Sequence, residues 1–127
     1  MNELQVSRCL DQVHALLQEE KYLHAVQGYI RLMRTEPRLP EAYLELASLY
    51  TELGFFQAAL RTLALAEIQV PDNHEIVFLG AMVCLRIHEY DRALKSLERL
   101  SGLNLPDVHY HMGIAWHRKN DAIRAEE

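Results

Sequence analysis

The sequence predicts an all-α fold of antiparallel helix pairs that repeat along the chain. Three kinds of residue recur at one fixed interval: an aromatic residue, an alanine three places later, and a proline. They are Tyr22, Phe56 and Tyr90, then Ala25, Ala59 and Ala93, then Pro37 and Pro71. An interval of about 34 residues, with small residues on the second helix and a closing proline, is typical of helix-turn-helix repeat arrays.

The composition limits the classes of partner. Half of the 127 residues are apolar and 24% are charged, which is ordinary for a soluble globular protein. A net charge of -5 argues against nucleic acid, because phosphate binding needs clustered Lys and Arg. No apolar run approaches the roughly 18 residues of a membrane span, and the first residues lack the layout of a secretory signal. We therefore expect a cytoplasmic protein that binds neither nucleic acid nor membrane.

The first helix pair is predicted at about residues 3–18 and 21–34. Apolar residues fall on one side of each helix at helical spacing, with Val13 and Tyr29 among them. The step Glu36-Pro37 ends the second helix, because proline disfavours a helical residue before it and has no amide hydrogen to donate.

The second pair carries the clearest boundaries. Pro40 can open a helix in its first turn, where a missing donor costs nothing. Gly54 suits a left-handed turn, since it has no side chain to clash. The second helix of the pair is predicted at about residues 56–69.

The third pair follows the same plan. Asp72 or Asn73 is expected to cap its first helix by accepting a bond from a free amide. His88 falls at the turn, and the second helix is predicted at about residues 90–101.

In the fourth repeat we expect the spacing to break. The interval from Ala93 to Ala125 is shorter than the one that separates Ala25, Ala59 and Ala93, and Gly113 is assigned as the small residue of the first helix. Asn120-Asp121 is predicted to form a turn, followed by about six residues that are too few to hold a helix on their own. Either this is a short natural cap or the chain is cut from a longer protein, and we favour the second.

Placed in this way, the residues resemble those of a tetratricopeptide repeat protein over nearly the whole chain. The second repeat matches the family pattern most completely, with Tyr43, Leu46, Ala47, Tyr50, Gly54, Ala59, Leu63, Ala66 and Pro71. The resemblance implies a right-handed superhelix of about three and a half repeats. It predicts a single domain over residues 1–127, with repeats at about 6–39, 40–73 and 74–105 and a partial repeat at 106–127.

The resemblance also implies a concave groove lined by the first helix of each pair. Its partner-binding positions hold Leu10, His14, Glu41, Leu44, Glu45, Ser48, Glu52, Phe78, Met82 and Tyr110. This surface is acidic in its first half and apolar in its second. We therefore expect a basic segment of the partner opposite the glutamates, and an apolar segment on Phe78, Met82 and Tyr110. The alternative is that the glutamates form a solvated face and Phe78 and Met82 pack on a neighbouring helix.

One binding mode of the family is not expected here. Some of its members grip the carboxylate terminus of heat-shock chaperones with Lys and Asn side chains on these faces. The corresponding places in this sequence hold Leu10, His14, Leu44 and Ser48, which offer no lysine to a carboxylate.

The sequence contains no motif that points to catalysis or to a cofactor. It has no phosphate-binding glycine loop, nucleophile elbow or HExxH helix. His109, His111 and His117 lack the spacing of three or four that pairs metal ligands on a helix. We expect a non-catalytic module that binds a peptide or helix of a partner protein. Two alternatives stay open: a dedicated chaperone for a secreted or assembly subunit, and a scaffold that self-assembles through the partial fourth repeat.

Overall fold

The computed structural model describes residues 1–126, and this part of the chain is helical nearly throughout. Its α-helices are α1 Glu3–Gln18, α2 Tyr22–Thr35, α3 Pro40–Glu52, α4 Phe56–Gln69, α5 His74–Arg86, α6 Tyr90–Leu100 and α7 Pro106–Glu126. A short 3-10 turn, Ser101–Leu103, follows α6. The all-α prediction is confirmed, and the ends of α1 to α6 lie close to those predicted.

The chain forms two compact units, which we call unit 1 (Met1–Pro71) and unit 2 (Asp72–Glu127). Unit 1 holds α1 to α4, and each of these helices packs on the next. Its core is built around Val13, Ala25, Tyr29, Leu46 and Leu49. Unit 2 holds α5 to α7, and α6 packs against both of the others.

The turns inside the helix pairs share one backbone conformation. Glu20, Gly54 and His88 have φ angles of 61°, 86° and 63°, all in the left-handed region. They are separated by the same interval as the repeated alanines, so the repeat is visible in the backbone as well as in the sequence. Only Gly54 adopts this conformation without a side chain that clashes with the backbone.

We expect Glu20→Gly to raise the free energy of unfolding by about 1 kcal/mol, because it removes the strain of a left-handed residue that carries a Cβ atom. Gly54→Ala is the reverse change at the equivalent turn and should lower the stability by a similar amount. Urea unfolding followed by circular dichroism measures both. A loss of stability in Glu20→Gly would contradict the strain argument.

The close contact between α1 and α2 depends on a glycine, Gly28 of α2, which has no side chain. A Cβ atom added to Gly28 would lie 2.7 Å from Cγ2 of Val13, whose side chain is buried. One interval later the sizes are reversed, with Ala47 on α3 and Thr62 on α4, both buried. A large residue on one helix is thus accompanied by a small one on the other, which keeps the helices close.

We expect Gly28→Ala to lower the free energy of unfolding by about 1 kcal/mol, because overpacking costs about 1–3 kcal/mol and alanine returns up to about 1 kcal/mol of helix propensity. In a Val13→Ala background the same change should be neutral or stabilising. Gly113→Ala is the matched control: Gly113 also lies inside a helix, and a Cβ atom there meets nothing within 4 Å. Equal effects at Gly28 and Gly113 in urea unfolding would exclude a steric cause.

Asn73, not Asp72, caps α5. The amide of Ile76 donates to Oδ1 of Asn73 at 3.1 Å, which satisfies one of the free amides at the helix start. Asp72 instead takes a left-handed conformation with φ 66°.

The predicted turn at Asn120-Asp121 is wrong. Helix α7 runs without interruption from Pro106 to Glu126, since neither residue is a glycine or proline that would break it. Asp121 pairs with His117 one turn earlier at 3.3 Å, and Lys119 reaches Asp91 at the start of α6 at 2.7 Å. Both pairs favour a continuous helix.

The predicted break in spacing is also wrong. Ala115 is fully buried, whereas Gly113, which was assigned as the small residue, is exposed. Ala47, Ala81 and Ala115 are evenly spaced at the repeat interval, and each has 0% exposure. The interval therefore continues into α7, which places Met112 at the position equivalent to Phe78.

Candidate functional site

A cleft of about 420 Å³ opens in unit 1 between α1, α2 and α3, and we call it the α1–α3 cleft. It is lined by Leu17, Tyr22, Tyr29, Leu44, Glu45, Ser48, Leu49 and Glu52. Four of these, Leu44, Glu45, Ser48 and Glu52, are predicted groove residues. They share one face of α3 because their spacing follows the helical turn.

The other four lining residues were missed as site residues. Leu17, Tyr22 and Tyr29 follow the apolar pattern of their helices, so the sequence marks them as core only. In the structure both tyrosines line the cleft, but Tyr29 is buried and Tyr22 is 39% exposed. Helical spacing alone cannot distinguish an apolar residue that lines a cleft from one that only packs in the core.

A second cleft of about 440 Å³ adjoins the start of α1, and we call it the N-terminal cleft. Its lining includes the predicted groove residues Leu10, His14 and Glu41, together with Asp11 and Glu36. The structure thus distributes the predicted groove residues of unit 1 between two clefts.

Glu45 joins these two clefts through its bond with His14. Its carboxylate Oε1 bonds with Nε2 of His14 on α1, and it lies beside Tyr29 of α2 in the lining of the α1–α3 cleft. Burial raises the pKa of Tyr29 well above its ordinary value, and the neighbouring charge of Glu45 raises this pKa further. Tyr29 therefore stays neutral to a higher pH than an exposed tyrosine does.

The charge of both clefts is negative. Glu45 and Glu52 line the α1–α3 cleft, and Glu3, Asp11, Glu36 and Glu41 line the N-terminal cleft. Neither lining, within the described residues, includes a lysine or arginine side chain, and the Met1 ammonium in the N-terminal cleft pairs with Glu36 at 2.8 Å, which leaves the other three carboxylates of that cleft in excess. The two clefts thus favour a cationic or neutral ligand over an anionic one.

The predicted residues of unit 2 lie in a different setting. Phe78 and Met82 are half-buried and pack against the core formed by Val77, Ala81, Leu97, Leu100 and Val108. The ring of Phe78 meets the imidazole of His111 edge-on, with 5.5 Å between centroids. Tyr110, in contrast, is 67% exposed. Phe78 and Met82 therefore contribute to packing whether or not they also bind a partner.

In the described residues, no three or more His, Cys, Asp or Glu side chains are grouped so that they could hold a metal ion. Over the same part of the chain, no helix combines the length and apolarity needed to cross a membrane.

No family model matches the sequence, and no curated protein matches it. Solved structures do match it. The first tetratricopeptide repeat domain of Spaghetti (RPAP3), bound to the HSP90 peptide SRMEEVD, aligns with a TM-score of 0.78 and 17% identity, over 94% of this chain and 97% of that one. The chain has the tetratricopeptide repeat fold.

Two further solved structures align with this chain over different shares of their own length. The Yersinia enterocolitica type III secretion chaperone SycD, in complex with a peptide of the translocator YopD, aligns with a TM-score of 0.76 and 17% identity, over 93% of this chain and 99% of that one. A structure of MamA aligns with a TM-score of 0.73 and 19% identity over 85% of this chain. This chain spans 64% of the length of that MamA chain.

We expect alkaline unfolding of this chain to depend on Tyr29. A raised folded pKa contributes stability that is complete below the ordinary tyrosine value of about 10 and is lost as the pH rises toward the folded value. The free energy of unfolding should therefore fall above about pH 10, and Tyr29→Phe should flatten this fall. Tyr110→Phe, which removes an exposed tyrosine, is the control. An identical pH profile for Tyr29→Phe and the unmodified chain would contradict the assignment.

We expect Phe78→Ala to lower the free energy of unfolding of unit 2 by about 2 kcal/mol, because a half-buried aromatic side chain leaves a cavity against the core. Tyr110→Ala should change it by less than about 0.5 kcal/mol, since that ring is mostly in solvent. Thermal or urea unfolding, with Trp116 fluorescence as the probe of unit 2, measures both. Equal losses would show that Phe78 does not pack as described.

Proposed function

We propose that this chain is a non-catalytic interaction module that holds a peptide or helix of a partner protein. The proposed site is the face of α3 in unit 1, with the α1–α3 cleft at its centre. The observation that carries the proposal is the lining of that cleft, where apolar walls from three helices surround two carboxylates. Clefts with mostly apolar walls and a few placed polar groups are the usual form of a binding site.

The neighbouring structures support this class of function. The RPAP3 domain and SycD both hold peptides in their structures, and this chain has their fold. The peptide SRMEEVD of the RPAP3 complex is rich in carboxylates. Glu45 and Glu52 would repel such a sequence, so we propose a different class of peptide for this chain. We also propose that residues 1–127 act as one tetratricopeptide repeat domain, in the cytoplasm, without nucleic acid or membrane as partner.

Selection from a phage-displayed library of random dodecapeptides tests the proposal. We expect selected peptides to bind the unmodified chain and to lose affinity about tenfold or more on Leu44→Ala, because Leu44 lines the cleft and its truncation removes buried contact area. Leu65→Ala is the matched control, since Leu65 is an exposed leucine on α4. Failure to select any peptide, or equal affinities for the two variants, would refute the proposed site.

A second candidate is a dedicated chaperone for a secreted or assembly subunit. The match to SycD supports it, because SycD is a secretion chaperone that holds a peptide of its translocator and this chain has its fold. Such a chaperone should retain its client through purification from the native cell. If the chain is recovered alone but peptides are still selected in vitro, the chaperone candidate is excluded and the general interaction module is retained.

A third candidate is self-assembly through α7. Its exposed apolar side chains include Trp116 and Ile123, with exposures of 46% and 48%, and surfaces of this kind favour association. Sedimentation at several concentrations separates this candidate from the first. A monomer throughout the concentration range would exclude it.

A further inference from the structure

The hydrogen bond between Glu45 and His14 points to a specific ligand for the α1–α3 cleft. We infer that the cleft takes an arginine or lysine side chain of the partner, whose cationic head replaces His14 on the Glu45 carboxylate. This inference rests on the proposed function, because it names the side chain that the bound peptide places in the cleft.

The carboxylate of Glu45 is accessible to a cation. Glu45 lines the cleft beside the buried Tyr29, and its side chain keeps 32% exposure. An ionised carboxylate offers about four lone-pair positions, and His14 uses one of them.

His14 is the partner that can be displaced. Its side chain is 46% exposed and also borders the N-terminal cleft, so its bond with Glu45 lies at the surface and not in the core. An imidazole offers one N–H to the carboxylate, whereas a guanidinium forms two parallel bonds and stays charged at every accessible pH. For arginine the exchange thus replaces a single bond with a bidentate pair, and for lysine it replaces a neutral or titratable donor with a permanent cation.

The walls of the cleft suit the rest of such a side chain. Leu17, Tyr22, Leu44 and Leu49 present apolar surface beside Glu45. Arginine and lysine lay their aliphatic stems on apolar surface and extend only the charged head. An acidic side chain does not suit this cleft, because it would lie close to Glu45 and Glu52 and would find no cation among the described lining residues.

The test uses peptides obtained from the random dodecapeptide library. We expect selected sequences to place an arginine or lysine next to apolar residues. Each synthetic peptide carries an arginine at that position and is compared with a copy in which citrulline, which is neutral and of the same shape, replaces the arginine. The citrulline copy should bind the unmodified chain about tenfold more weakly or worse, because it lacks the charged hydrogen bonds. With Glu45→Gln the difference should shrink to about twofold.

His14 supplies an independent readout. Addition of the arginine peptide should shift the imidazole resonances of His14 in an NMR spectrum, since the ring leaves Glu45, and the citrulline peptide should shift them much less. His14→Ala should strengthen binding of the arginine peptide by a few-fold, because it removes the competitor. Weaker binding in His14→Ala would overturn the exchange.

The outcomes separate the two levels of the proposal. If Leu44→Ala weakens binding while arginine and citrulline peptides bind equally, the cleft binds peptides but the inference about a basic side chain is wrong. If no peptide is selected, or if Leu44→Ala and Leu65→Ala bind equally, the proposed function fails and the inference fails with it. Because the citrulline comparison leaves the protein unaltered, a folding defect in a variant cannot mask the result.

Discussion

Close approach of neighbouring helices is the constraint on which this structure depends. The fully buried alanines of unit 1, Ala25, Ala42, Ala47, Ala59 and Ala66, all have 0% exposure. A helix that carries a methyl group at such a contact can approach its neighbour closely, and the larger residues around the contact then interdigitate. Tyr29 and Leu46 are buried as a result. The helix positions, and with them the clefts, follow from these small contacts.

The same packing fixes the chemistry of the candidate site. Tyr29 belongs to the buried core of unit 1, and it also lines the α1–α3 cleft beside Glu45 of the next helix. One side chain therefore serves both the stability of the unit and the lining of the site. A cleft whose walls belong to a packed core is already formed before a ligand binds, which reduces the ordering that binding costs.

Most of the fold could be predicted from the sequence, and the failures have physical causes. Repeated aromatic, alanine and proline residues locate six helices, because each of these residue types has a local preference in helix packing or helix termination. Residue preference alone predicts a turn at Asn120-Asp121, but pairs such as Lys119 with Asp91 involve another helix and are not visible in a local pattern. The prediction for Gly113 fails for a similar reason, since only burial distinguishes it from Ala115.

The candidate site was predictable only in part. The face of α3 follows from helical spacing, so Leu44, Glu45, Ser48 and Glu52 could be placed together. The bond between His14 and Glu45 joins residues 31 positions apart and depends on the exact rotation of two helices. In unit 2, the spacing could not show that Phe78 and Met82 pack against the core.

The reversed sizes at Val13 and Gly28 bear on how proteins of this architecture can be recognised. A bulky residue opposite a missing one preserves the distance between two helix axes, although both amino-acid letters differ from those one interval later. Paired substitutions of this kind can accumulate until a sequence alignment shows little similarity. The backbone structure then remains similar to that of related proteins although the amino-acid sequence no longer shows the similarity.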